Sequence, residues 1–320
     1  MWDFYKLLSQ AEHIIWHSLI FKSKKFLLFI YLFRGFLKKS TWIEWGADLY
    51  VWQRPGHSLK DKFLNHINRF IREHVKFVGL TFPADEEAFR KQFRSDAKCF
   101  FTPLPFAHNR LELLEKTRPH TKPSGPVRIQ LAHNSLQFNN HMAIMEKLER
   151  FRGEDIKITM PLSYGAFGID GRFGGMQYLQ SVISCAKDIF GKKAVALLRP
   201  LELDNYLRYL WRLDVAVFDN ERPVGLANIL YMLYMDVKIY LPANTPHYDF
   251  FLEQGIDIYD TNAIPDMTYE EFISKPERRE VPKWVMDRFT PGEDIKIWDK
   301  LFIAINGGAP PTIMESDDIV

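Results

Sequence analysis

Cysteine is nearly absent: Cys99 and Cys185 are the only two in 320 residues. They stand far apart and in no metal-ligand spacing, which argues against a disulfide framework and a structural zinc site and fits a reducing compartment. The start, Met1-Trp2-Asp3-Phe4, lacks the basic stretch, apolar run and small-residue cleavage site of a secretory signal. Long hydrophobic runs are missing too. The segment most like a membrane element, 19–39, has a clean apolar run only from Phe26 to Phe33, far short of the ~18–20 residues a span needs. No Walker or GxGxxG fingerprint occurs, so an ordinary kinase or dehydrogenase has little support. No Asp-x-Asp motif occurs either, and no obligatory metal or other cofactor is expected. Internal repeats, low-complexity stretches and the basic motif of a nucleic-acid module are absent, so nucleic acid is not an expected partner.

What the chain does hold is enough apolar sequence, 47%, for two ordinary domains. Its small net charge hides an asymmetry. Residues 1–120 carry 20 Lys+Arg against 12 Asp+Glu, net +8, and the remainder 22 against 28, net −6. The two halves are therefore expected to meet different partners. Lys22, Lys24, Lys25, Arg34, Lys38 and Lys39 surround the apolar run in 19–39, and no acid occurs between Glu12 and Glu44. One continuous helix over 19–39, lying in the headgroup layer of a membrane, fits this mixture. A core helix with a basic solvent edge fits it equally.

The first half reads as mainly helical, with short strands at 13–16, 42–45, 75–81 and 99–102. Residues 117–126, with three prolines and a glycine, form the best linker. From Val127 the chain alternates cleanly: strands at 127–132, 156–160, 194–198, 213–218 and 237–241, with helices at 140–150, 176–189, 203–211 and 225–235. Such alternation predicts a parallel sheet covered on both faces. The domains are expected at 1–118 and 127–275, joined by a linker at 119–126. A helical segment at 276–305 and an acidic disordered tail at 306–320 follow.

Ligands of open α/β sheets sit beyond the carboxyl ends of the strands, so the residues just after each strand carry the information. Asn134 and Ser135 follow the first strand of the second half and are placed to meet an anion. Tyr164 and Gly165 open a loop, 161–175, that holds five glycines. Glu221, Arg222 and Gly225 lead into a helix whose N-terminus is a ready diphosphate site. Each turn taken alone is as readily a capped helix start. Three at one sheet edge favour a ligand site, because that edge is where open α/β sheets bind. In the first half, Asp48, just past a strand and a glycine, is the first candidate for a general base and His17 the second. An N-capping Asp and a packing His are the alternatives.

The segment Trp42-Ile-Glu44-Trp45-Gly46-Ala47-Asp48-Leu49-Tyr50 resembles the most recognisable stretch of glycosyltransferase family 56, the bacterial N-acetylfucosamine (4-acetamido-4,6-dideoxygalactose) transferases of enterobacterial common antigen synthesis. His133-Asn134-Ser135 with Asn140-His141 is similar to that family's G-N-S turn and later N-x-H. Met160 to Gly165 resembles its V-P-x-x-Y segment, and Arg222 and Gly225 match its R-x-x-G. The resemblance runs from about residue 13 to about 260. It implies an α/β GT-B fold of two Rossmann-like domains with an active site in the cleft between them. It further implies a TDP-sugar donor bound by the C-terminal domain and a lipid-diphosphate-linked oligosaccharide acceptor met by the N-terminal one. Family members begin with roughly a further half-domain, by usual domain size, so the N-terminal domain is expected to be shortened. Pro223-Val224 stand where the family has paired Gln, and Ala227 where it has Gly.

The expected activity is transfer of an N-acetylfucosamine-like sugar to a lipid-linked glycan, at the cytoplasmic face of a bacterial inner membrane. Lys22, Lys24, Lys25 and Arg34 would face lipid or acceptor phosphate. A sugar-nucleotide epimerase of the same architecture and an inactive membrane-docking scaffold remain as other readings of the residues.

Overall fold

The computed structural model describes residues 2–21, 23–53, 58–102, 110–121, 124–165, 175–220, 222, 223, 225–243, 245–274 and 280–307. The chain divides into two compact units, residues 1–105 together with 291 onward, and residues 106–290.

The first unit holds a parallel sheet of four strands: β1 (Ile14–His17), β2 (Ser40–Ile43), β3 (Phe77–Leu80) and β4 (Lys98–Phe101), side by side in chain order. Helix α1 (Trp2–Gln10) precedes it, and α2 (Lys24–Leu32), α3 (Ala47–Tyr50), α4 (Leu59–His74) and α5 (Asp85–Gln92) lie between its strands. Right-handed crossovers between strands in sequential order place the connecting helices on one face. Side chains alternate along each strand. Trp42, Val78 and Cys99 thus share a core with Leu27, Ile30, Ile67, Ile71 and Phe89 of the helices, while Ile43 and Phe77 belong to a separate cluster on the other face. Gly79 on β3 has no room for a side chain: a Cβ there would stand 2.4 Å from Thr102 Oγ1 and 2.5 Å from Ile43 Cδ1.

The single helix expected over 19–39 is broken. Ser18 takes φ 73°, Leu19 is drawn into the core, and the Ser23 hydroxyl caps α2 by accepting from Phe26 N. After Leu32 the chain tightens into a 3-10 stretch, Arg34–Lys39. The cause is burial: Leu27 and Ile30 are fully enclosed, leaving Leu28 and Leu32 outside beside the exposed Lys24 and Lys25.

The second unit has six parallel strands: β5 (Val127–Leu131), β6 (Ile156–Pro161), β7 (Ala194–Leu197), β8 (Val215–Val217), β9 (Lys238–Leu241) and β10 (Tyr259–Asp260). Their spatial order is β10-β9-β8-β5-β6-β7. Its helices are α6 (Arg110–Thr117), α7 (His141–Leu148), α8 (Gly175–Phe190), α9 (Leu203–Leu210), α10 (Leu226–Tyr234), α11 (Pro246–Glu253), α12 (Tyr269–Ile273) and α13 (Lys283–Asp287). Ile129 and Leu131 share a core with residues of α7 and α8. Gln130, pointing the opposite way on β5, accepts from Tyr209 OH of α9 at 2.8 Å, so helices cover both faces.

The boundary falls earlier than residue 118. Helix α6 belongs to the second unit, where Trp211 Nε1 donates to the buried Leu114's carbonyl at 3.1 Å. A last helix, α14 (Pro291–Ile305), belongs to the first unit. Its Leu301 and Ala304 pack on Ile43 and Phe77, the sheet face that the crossover helices leave open. Among the described residues, no helix is long and apolar enough to cross a membrane.

Candidate functional site

In the second unit the chain steps outward from β5 to β6 and β7, then returns to β8 on the other side of β5. The strand order reverses there, and the loops after β5 and β8 flank the crevice in which such sheets bind ligands. Two side-chain bridges join these two loops, and a third ties the loop after β8 to α7. Asn220 Nδ2 donates to Asn139 Oδ1 at 3.1 Å. Asn140, in the left-handed conformation at φ 49°, donates from Nδ2 to the Asp219 carbonyl at 2.8 Å. Lys147 of α7 pairs with Asp219 at 3.0 Å. Asn139, Asn140 and Asn220 were not singled out for this role in the sequence. Their signal is three amides at two strand ends.

Asn134 and Ser135 lie at the centre of the arrangement, but their polar atoms face inward. Asn134 Oδ1 accepts from Leu136 N at 2.9 Å and Asn139 Nδ2 at 2.6 Å. Ser135 donates from both its N and its Oγ to the Tyr164 carbonyl, each at 2.8 Å. Their role here is to tie the loop after β5 to the one after β6. Tyr164 is held by its backbone with its side chain outside, 73% exposed. Gly165 takes φ 110°, and a Cβ there would meet Leu136 Cγ at 2.8 Å. Glu221 and residues 166–174 lie outside the described residues.

Arg222 is 9% exposed, and its guanidinium stands 4.1 Å from the centre of the Phe138 ring. Gly225 begins α10 with φ 70° and no side-chain cap. The His133 ring packs against it, 3.3 Å from where a Cβ would be. A glycine that brings bare backbone to a helix N-terminus, beside a buried arginine, is chemistry for a phosphate.

Three imidazoles of this unit, those of His133, His141 and His247, are held neutral. His133 is pushed down to about 3 by burial, with His141 and Arg222 adding to it. Burial takes His141 down to about 4, and likewise His247 of α11. Below their ordinary 6.5 the unfolded chain binds protons that the folded unit refuses, so stability falls as pH drops from 6.5 toward 4. Each histidine is expected to remove about 1 kcal/mol over the first pH unit. Urea unfolding at stepped pH reads the slope. His247→Gln should flatten it by roughly a third, and an unchanged slope would reject this account.

At the carboxyl edge of the first unit's sheet, Asp48 is fully buried. Its Oδ2 accepts from Leu19 N at 2.8 Å and Trp42 Nε1 at 2.6 Å, and its Oδ1 from Trp45 N at 2.8 Å. Arg72, also buried, donates to the Asp48, Leu19 and Asn68 carbonyls. Burial lowers Arg72 to about 10, and Asp48 draws it partly back. A carboxylate sealed under three donors suits a structural tie better than a base. His17, at the end of β1, is exposed, and its ring lies edge-on to Trp45 at 6.4 Å.

Glu44, in the same motif as Asp48, has a more unusual environment. It is 1% exposed, and its carboxyl accepts from Gly46 N and from Thr81 N. Burial, then Asp85 and Asp48, raise it to about 8. It therefore works against the first unit as pH rises from 4.5 to 8, the opposite sign to the histidines. Between Glu44 and Asp48, Gly46 has φ 74° and ψ −59°, and Ala47 N donates to the Trp45 carbonyl at 2.9 Å. This is a γ-turn of the positive-φ kind, open to Gly46 because it has no Cβ, and the Trp45 side chain stands out from it, 52% exposed.

Lys24, Lys25 and Arg34 are exposed on α2 and the turn after it, with Arg34 6.0 Å from the Phe70 ring. Lys22 lies outside the described residues.

Comparison with known proteins agrees with this organisation. The family described as 4-alpha-L-fucosyltransferase, glycosyl transferase group 56, matches residues 9–278. Among solved structures, the chain is similar to an α,α-trehalose 6-phosphate synthase from Burkholderia multivorans (12% identity, 95% of this chain and 72% of that one, TM-score 0.66). It is similar to an α,α-trehalose-phosphate synthase (UDP-forming) from Burkholderia xenovorans, in complex with glucose-6-phosphate (10% identity, 96% and 76%, TM-score 0.66). It is also similar to a glycosyltransferase from Rickettsia africae (11% identity, 96% and 80%, TM-score 0.63). At such identities the likeness shows the fold, which is GT-B: two Rossmann-like units, here with four strands in the first sheet and six in the second.

Proposed function

We infer the reaction from the chain's family: it belongs to glycosyl transferase group 56, the 4-alpha-L-fucosyltransferases, and is a glycosyltransferase acting on a nucleotide-sugar donor and a glycan acceptor. The proposed donor is a TDP-linked deoxy-amino sugar of the N-acetylfucosamine kind. The proposed acceptor is a lipid-diphosphate-linked glycan in cell-surface polysaccharide synthesis.

The observation that carries the donor reading is a buried Arg222 three residues ahead of Gly225, which opens the uncapped N-terminus of α10 at the sheet's switch point. When the glycosidic bond to the diphosphate breaks, negative charge grows on the departing oxygen. Helix amides and a fixed guanidinium placed there lower the barrier, because they need no reorganisation as the charge appears. In this reading they meet the diphosphate's charge without a metal. Tyr164 would lie against the nucleotide, and Asn134 and Ser135 would hold the loop that frames it. In the first unit, His17 is the proposed base for the acceptor hydroxyl, because it is exposed where Asp48 is sealed. Exposed Lys24, Lys25 and Arg34, next to Leu28 and Leu32, support peripheral contact with an anionic membrane surface on the cytoplasmic side.

Thermal unfolding with a panel of TDP, UDP and GDP tests the donor. Ligand at 100 times its Kd should stabilise by about 2.7 kcal/mol. A rise in Tm with TDP alone is the expected result. A rise with UDP or GDP instead moves the donor nucleotide, and no rise with any of them rejects the donor site.

A further inference from the structure

The indole of Trp45 is left in water at the carboxyl edge of the first sheet, whereas Trp42 and Trp52 of the same unit are buried. Leaving that much apolar surface in water is unfavourable, and the backbone beneath it is held with unusual care. Asp48 accepts from Trp45 N, Ala47 N closes the γ-turn on the Trp45 carbonyl, and Glu44 accepts from the Gly46 N–H inside the turn. Gly46, at φ 74°, lets the backbone turn this tightly without a side chain in the way, so Trp45 stands on a bend fixed at three points. Two buried carboxyl groups thus fix the backbone under one exposed ring. His17 stands beside it, its ring at 72° to the indole with centroids 6.4 Å apart, so a polar side chain neighbours the exposed ring. The other exposed aromatics among the described residues of this unit, Trp2, Phe33, Phe63 and Phe302, lie on or next to helices rather than at the sheet's carboxyl edge.

We propose that Trp45 is a sugar-binding platform: a pyranose ring of the acceptor glycan lies with its C–H face on the exposed indole, and a hydroxyl at its edge reaches His17. The chemistry is general. The axial C–H bonds on one face of a pyranose form an apolar patch, which the electron-rich face of an indole attracts, while hydroxyls round the rim seek polar partners. The proposal rests on the glycosyltransferase reading and adds to it the place in the first unit where acceptor sugar is held.

The test uses the full chain labelled with 5-fluorotryptophan, titrated with chitobiose as the probe and, in a parallel sample, with TDP. Trp45→Phe assigns the Trp45 resonance by its disappearance. The expected result is a saturable shift of that resonance with chitobiose. Trp45→Ala should weaken chitobiose binding about tenfold or more, the scale of one lost ring contact, with Tm and TDP affinity unchanged. Trp45→Phe should retain most of the binding, since a smaller ring keeps the stacking face. No shift at Trp45 with chitobiose overturns the platform, and so does an Ala variant that binds chitobiose as the parent does. TDP binding without a sugar response removes the platform alone. A sugar response without nucleotide binding keeps the platform and removes the donor reading.

Discussion

Arg222→Ala is expected to lower kcat by about 100- to 1,000-fold, the usual cost of removing one fixed donor from a developing oxyanion. The guanidinium is buried and stacked on Phe138 at 4.1 Å, so its position is set before substrate arrives. A charge held in this way loses little on binding and acts mainly as the leaving diphosphate gains charge. The loss should therefore appear in kcat, with a smaller change in the donor KM. Arg222→Lys should fall between the two, because an ammonium keeps the charge but neither the planar stack nor the fork that matches phosphate. Steady-state kinetics of both variants read the split. A change confined to KM would make Arg222 a binding residue only, and a loss below tenfold would remove it from the chemistry altogether.

Asp48→Ala should destabilise the first unit by about 3–5 kcal/mol, as breaking a buried charge network does. Three donors, on Leu19, Trp42 and Trp45, would lose their acceptor. Arg72, enclosed between the Trp42 and Trp52 rings at 5.4 and 5.8 Å, would lose the carboxylate that offsets its burial. Asp48→Asn should cost less, since one oxygen still accepts. Urea unfolding measures both. His17→Ala is the complementary case: its ring is exposed, so transfer should fall while the unfolding midpoint stays. If Asp48→Ala unfolds like the parent protein yet transfers nothing, the base is Asp48 after all.

The second sheet was legible from Val127 onward because each strand is a short apolar run between amphipathic helices, and the edge that matters follows from that alternation. What happens at the edge was less legible. Asn134 and Ser135 look like ligand groups in the sequence. Yet the Ser135 hydroxyl is taken by Tyr164, 29 positions away, and the loop is held to its neighbour by an Asn139–Asn220 bond spanning 81. Pattern reading sees neighbours along the chain and not such partners. Asp48 is the same case, since one of the groups that seal it is the Leu19 N–H, 29 residues earlier. Glu44 stands in the same motif without a signal of its own in the sequence. Nothing local distinguishes it, because its displaced proton affinity comes from burial and from Asp85 on another element. The 19–39 segment broke for a tertiary reason, the burial of Leu27 and Ile30.

Helix α14 closes the first unit's second sheet face, and it is the last element among the described residues. During synthesis the four strands of that sheet leave the ribosome early, with Ile43 and Phe77 uncovered until Leu301 follows. All of residues 106–290 are made in between. At ~5–20 residues per second that interval is on the order of ten seconds or longer. The unit that begins first must therefore finish last, and the nascent chain carries an open apolar sheet face past the completion of its partner unit. For that interval it depends on dilution or on a chaperone, and any ribosome stall before α14 lengthens the exposure.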